Sequence, residues 1–192
     1  GSRVTMAPTG ASGLTEVARI PLGALKQEAV VLRHEASGLR VVHCKLPGPL
    51  CQMDVVVPTE CGDNKGLPHC LEHLVFMGSA QHPTRGFLDK LANLCLAQGT
   101  NAWTDRDHTA YNAVTAGHVG LMRLMPVFLD HVMHPTLTEG QFTTEIYHVD
   151  GEGKQNGVVF CEMQGREATE DDMADLTLHR LVYPNTGYEY EC

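Results

Sequence analysis

The segment from Asp63 to Gly78 restricts the fold more than any other part of the chain. Asp63, Asn64 and Gly66 form a loop with capping side chains, and Pro68 fits a first helical turn, where its missing N–H costs nothing. Gly78 suits the left-handed conformation that ends helices. A helix from Pro68 to about Met77 is therefore expected. Just before it, Cys51 to Val57 reads as a strand stopped by Pro58. The unit is strand, loop, helix.

That helix would carry His69-Cys70-Leu71-Glu72-His73. At about 100° per residue, His69 and His73 are offset by about 40°, and Glu72 lies about 60° to the other side of His69. The three side chains share one face. Two imidazoles at i and i+4 can hold one metal ion with a carboxylate beside it, and the H-x-x-E-H order is that of the inverted zinc-peptidase motif. Cys70 is a competing ligand type, but it points about 100° away from His69, which suits packing better. A catalytic zinc takes three protein ligands and leaves a fourth position open. The third ligand must come from elsewhere, and the residues alone leave Glu162, Glu152, Glu145 and His148 as candidates. Glu162 stands out because it follows the apolar Val158-Val159-Phe160-Cys161 at the start of an expected helix.

The remaining pattern is α+β. Residues 29–34 and 39–45 are rich in β-branched residues and read as a hairpin turning at Gly38. Residues 86–98 and 117–132 read as helices, the former with Phe87, Leu88, Leu91, Leu94 and Leu96 on or near one face. Residues 101–115 read as one or two strands, 150–157 as a loop and 170–182 as a helix with Glu170, Asp171 and Asp172 at its positive end. Residues 136–149 carry no clear period. With 14 basic and 23 acidic residues the net charge is −9, which argues against nucleic acid as a partner. No apolar run is long enough for a spanning helix, so no membrane partner is expected. Seven cysteines without a C-x-x-C pair fit free thiols in an intracellular, cytosolic setting better than a disulfide framework, and a mitochondrial or other organelle remains open.

Three stretches, GLPHCLEHLVFMGS, GTNAWTDRDHTAYNAV and GEGKQNGVVFCEMQGRE, occur in this order. Together they resemble the pitrilysin/insulin-degrading-enzyme superfamily of zinc metallopeptidases, and most nearly its presequence-protease-like branch. The resemblance spans about residues 25 to 190. It implies an α+β domain with a mixed β-sheet and helices on one side. It implies Zn2+ as cofactor, His69, His73 and Glu162 as metal ligands, and Glu72 as the catalytic base. It also implies that Asn101, Ala102, Trp103 and Thr104 form the strand that pairs with an extended peptide substrate.

Superfamily enzymes are several times longer than this chain. The expectation is therefore the N-terminal part of a peptidase catalytic domain over residues 25–192. The C-terminal half of the parent chain would be a missing partner, and the isolated fragment could be inactive. Residues 1–24 are expected to be a flexible lead-in, with Gly1-Ser2 resembling an expression scar. The implied function is a zinc-dependent endopeptidase acting on unfolded peptides through metal-activated water. The alternative is a non-catalytic zinc-binding homologue of the same superfamily with a structural or interaction role. Asp105, Asp107, Thr109 and Tyr111 are expected on the solvent side of their strand, the alternative being that they organise the surroundings of the site.

Overall fold

A computed structural model describes residues 13–192, which form two compact units divided after Gly48. The expected lead-in over residues 1–12 lies outside the described residues. Residues 14–22, expected to be flexible, instead form strand β1 (Leu14–Leu22). It pairs antiparallel with β2 (Gln27–His34), which pairs with β3 (Arg40–Cys44). The β2–β3 hairpin turns as expected, with Gly38 at φ 74°. β1 escaped the sequence reading because its short apolar alternation, Ala18, Ile20 and Leu22, is interrupted by a register shift between Glu16 and Ala18, and most of the strand is exposed. Its identity comes from pairing, aided by Arg19, which bonds Glu16 at 2.8 Å and reaches Glu28 at 3.4 Å on β2.

The second unit, Pro49–Cys192, is built on β4 (Leu50–Pro58), β6 (His108–Ala116) and β5 (Ala97–Thr104), antiparallel in that spatial order. The α+β expectation holds. The mixed sheet does not appear: every pairing among the described residues is antiparallel. Helices α1 (Leu67–Val75), α2 (Phe87–Leu94) and α3 (His118–Met133) supply the core. Val75, Leu88, Ala92, Leu124 and Phe128 pack on Tyr111 and Ala113 of β6, with Met53 and Val55 of β4 and Ala102 of β5 against them. Alternate residues of each strand therefore face the helices. Leu94 and Leu96 miss this core and are 82% and 68% exposed, because α2 ends at Leu94 and turns its last residue away.

The segment without a clear period becomes α4 (Glu139–Glu145), opened by a capping box between Thr138 and Gln141. A small hairpin follows, β7 (His148–Val149) with β8 (Gln155–Asn156). Then come α5 (Val158–Arg166) and α6 (Glu170–Val182), the latter capped by Thr169 with three acids in its first turn. The expectation of free thiols needs one correction. Cys61 and Cys192 are disulfide-bonded with their Cα atoms 5.7 Å apart; a pairing over 131 positions leaves no trace in local spacing. The other five cysteines are free.

Candidate functional site

The site begins on α1. Its i, i+4 spacing brings the His69 and His73 ring centroids to 4.9 Å. His69 and Glu72 are buried and His73 is partly so. Burial pushes the His69 pKa down, against the opposing pull of the Glu162 carboxylate. The neutral imidazole, the form that binds metals, is therefore favoured.

α5 brings the third group. Glu162 Oε1 is 3.6 Å from His69 Nε2, and Oε2 is 3.4 Å from His73 Nε2. The three donor atoms lie within 4.8 Å of one another. On the far side of its ring, His73 Nδ1 is 3.2 Å from Glu145 Oε1. With Nδ1–H donating to Glu145, Nε2 keeps its lone pair toward Glu162. Arg85 Nη2, 3.5 Å from Glu145 Oε2, adds a positive charge behind that carboxylate. Two imidazoles and a carboxylate converging from a buried helix and an exposed one fit a zinc ion with an open coordination position.

A glycine allows this convergence. Gly157 precedes α5 at φ 133°, and a Cβ there would meet the Ile146 carbonyl oxygen at 2.2 Å. The Phe160 amide donates to the same carbonyl at 3.2 Å, and the Phe160 ring packs edge-on against Tyr147. The first turn of α5 thus lies directly on the end of α4. The same junction aims Glu145 at one nitrogen of His73 and Glu162 at the other.

The other candidates for the third ligand fall away from the cluster. Glu145 touches His73 on the nitrogen opposite Glu162. His148 Nδ1 pairs with the Thr143 carbonyl at 2.8 Å, and Glu152 is exposed in a turn organised by Asp150. Cys70 is half-buried, with its thiol pKa pushed up by burial, and lies outside the triad.

Asn101 to Thr104 lie on β5, which among the described residues has one strand neighbour and so one free edge. The Asp105 amide donates to the His108 carbonyl at 2.8 Å. Bonded pairs alternate from there, so Trp103 and Asn101 bond toward β6 while the backbone groups of Ala102 and Thr104 point to the free edge. That edge lines a cleft of about 540 Å³, together with His69, Glu72, His73 and Glu162. Trp103 is 42% exposed and its indole N–H donates to His108 Nε2 at 3.2 Å. In the polar run, Asp105 and Asp107 are exposed as expected, but Thr109 and Tyr111 are buried. Burial and the Glu72 carboxylate push the Tyr111 phenol up to about 12. Alternation along β6 turns these two residues to the helix side. The sequence reading also missed the Thr104 hydroxyl, which donates to Glu72 Oε2 at 2.6 Å, and Arg85; neither has a signal in local spacing.

Residues 55–164 match the family Insulinase (Peptidase family M16), and the chain belongs to that family. An uncharacterized protein of Caenorhabditis elegans is 48% identical over 146 residues, covering 76% of this chain and 15% of that protein. An uncharacterized protein of Saccharomyces cerevisiae is 44% identical, covering 82% and 15%. The mitochondrial presequence protease of Danio rerio is 31% identical, covering 83% and 16%. The crystal structure of pitrilysin shares the fold, with a TM-score of 0.55 at 21% identity over 65% of this chain and 14% of that one. The chain thus spans about 15% of the length of these curated relatives. Family membership supports a peptidase-type function. No helix among the described residues is long and apolar enough to cross a membrane.

Proposed function

We propose that this chain carries the metal centre of a zinc-dependent endopeptidase for unfolded peptides. The observation that carries this reading is the convergence of His69, His73 and Glu162, with donor atoms within 4.8 Å, beside Glu72 and a free strand edge. Zinc held by the three would polarise a carbonyl and acidify water next to it. The residues of the chain do the rest. His69 is kept neutral by burial, and Glu145 holds the His73 ring so that Nε2 faces Glu162. Glu72, beside the two imidazoles, takes a proton from water and passes it to the leaving amine.

The edge of β5 receives the peptide as an added strand, with the backbone groups of Ala102 and Thr104 as its partners. Backbone pairing reads extended shape rather than side-chain identity, so broad specificity for unfolded chains follows. The proposal sets this activity inside the cell; the mitochondrial presequence protease relative is compatible with an organellar site as well as a cytosolic one. The remainder of the length seen in the relatives would complete the substrate chamber.

The test is a pair of measurements on zinc-loaded protein with an unfolded peptide as substrate. Glu72→Gln is expected to keep zinc and lose hydrolysis. Glu162→Ala is expected to lose both. Hydrolysis unchanged in Glu72→Gln with zinc still bound would falsify the assignment.

A further inference from the structure

Glu72 is a carboxylate at 8% exposure, and a buried carboxylate needs a hydrogen-bond donor. Its partner is the Thr104 hydroxyl, at 2.6 Å from Oε2. Among the described residues no hydrogen bond to Oε1 is formed. Thr104 therefore has two faces at once. Its backbone points to the free edge of β5, and its side chain, on the helix side, reaches the base.

The hydroxyls behind Thr104 form a row. Thr109 Oγ1 lies 3.5 Å from Thr104 Oγ1 and 3.0 Å from Thr59 Oγ1, and Thr59 Oγ1 lies 3.0 Å from the Val57 carbonyl. Each hydroxyl has one hydrogen. If Thr59 donates to Val57, Thr109 donates to Thr59. If instead Thr59 donates to Thr109, Thr109 donates to Thr104. In both arrangements the Thr104 hydrogen is left for Glu72 Oε2, the acceptor 2.6 Å away. The backbone of Thr104 is held from both sides, since its neighbours Trp103 and Asp105 bond toward β6.

We infer that Thr104 is a positioning residue: its hydroxyl clamps Oε2 of Glu72 and leaves Oε1 as the oxygen that works on water in the cleft. This rests on the peptidase reading for its consequence, but not for its geometry. Pairing of a peptide along β5 and alignment of the base then meet in one residue, so a substrate strand is registered against the same backbone that holds the proton acceptor.

Thr104→Val removes the donor and keeps the shape; Thr104→Ser keeps the donor. In zinc-loaded protein, Thr104→Val is expected to lower kcat by about 10- to 100-fold, as small misplacements of a catalytic group do. KM and zinc per chain should stay within about twofold of the parent protein, and Thr104→Ser should recover most of kcat. A crystal structure of the zinc-loaded Thr104→Val protein should show the Glu72 carboxylate displaced. An unchanged kcat, a fall in zinc content that accounts for the loss, or no recovery in Thr104→Ser would overturn the inference. The carboxylate position decides independently of turnover. If Glu72→Gln proves as active as the parent protein, the peptidase reading fails, and an undisplaced carboxylate in Thr104→Val would still be needed to overturn the clamp.

Discussion

α1 and α5 bring their side chains to one cluster by opposite means. α1 is buried on the core side, and its two histidines meet because they are one helical turn apart. α5 buries Val159 and leaves Glu162 40% exposed at the side chain, so its place depends on how the helix docks. Docking runs through the seating of Gly157 on the Ile146 carbonyl, the Phe160 amide bonded to the same oxygen and the Phe160–Tyr147 ring contact. A centre made this way has a rigid half and an adjustable half. The rigid half is robust to change around it, while the adjustable half is sensitive to substitutions that touch no metal ligand.

The largest expected effect falls on the rigid half. His73→Ala should leave zinc per chain near zero after gel filtration, against about one in the parent protein, because it would remove one of the three proposed ligands. Retention of stoichiometric zinc would break the comparison at its root.

The glycines that open the two helices come next. Gly157→Ala must move the α5 backbone, since the added Cβ would lie 2.2 Å from a carbonyl oxygen. A loss of about 1–3 kcal/mol in denaturant unfolding is expected, together with weaker zinc binding as Glu162 shifts. Gly66 opens α1 at φ 64° with nothing near a new Cβ. Gly66→Ala should cost about 1 kcal/mol and leave zinc affinity alone. Equal effects of the two substitutions on zinc would show that α5 does not depend on its junction with α4.

Glu145→Gln sharpens the same point at a smaller scale. It keeps the size of the side chain and a hydrogen-bond acceptor for His73 Nδ1, but removes the charge. Zinc affinity should fall by about 10- to 100-fold, measured by competition with a chelator.

The smallest effect is on pH. Burial holds the His69 pKa below its unfolded value of 6.5, so above that pH both states are neutral there and stability is unaffected. As pH falls below about 6.5 the unfolded chain takes up the proton first, and metal-free protein should lose stability. Thermal unfolding of the metal-free chain between pH 7.5 and 5 should show this slope, reduced in His69→Gln. A slope of the same size in the variant would place the titration elsewhere.

Much of the candidate site is legible in the sequence. His69, Glu72 and His73 share a face by helical period alone, and Pro68 marks the helix start, although the helix ends at Val75 with Phe76 as its cap, short of the expected stop at Gly78. Glu162 drew notice as an acid after an apolar run, yet spacing could not separate it from Glu145. Both carboxylates contact His73, on opposite nitrogens, and only the docking of α5 on α4 assigns one to each. Thr109 and Tyr111 were expected outside and are inside, because which side of β6 faces the helices is set by what packs on it. β1 has only a short alternation, Ala18 to Leu22, broken by a register shift, and is held by its neighbour β2.

The sequence by itself determined the strand–loop–helix unit, the α+β class and the shared face of the H-x-x-E-H residues. These are short-range consequences of turn chemistry and helical period, written in residues that touch within one turn. Tertiary structure decided the third donor, the orientation of His73 by Glu145, the bond from Thr104 to Glu72 and the Cys61–Cys192 link. Each joins residues far apart in the chain. Such contacts arise from packing one element on another, and packing leaves no periodic mark in the sequence of either.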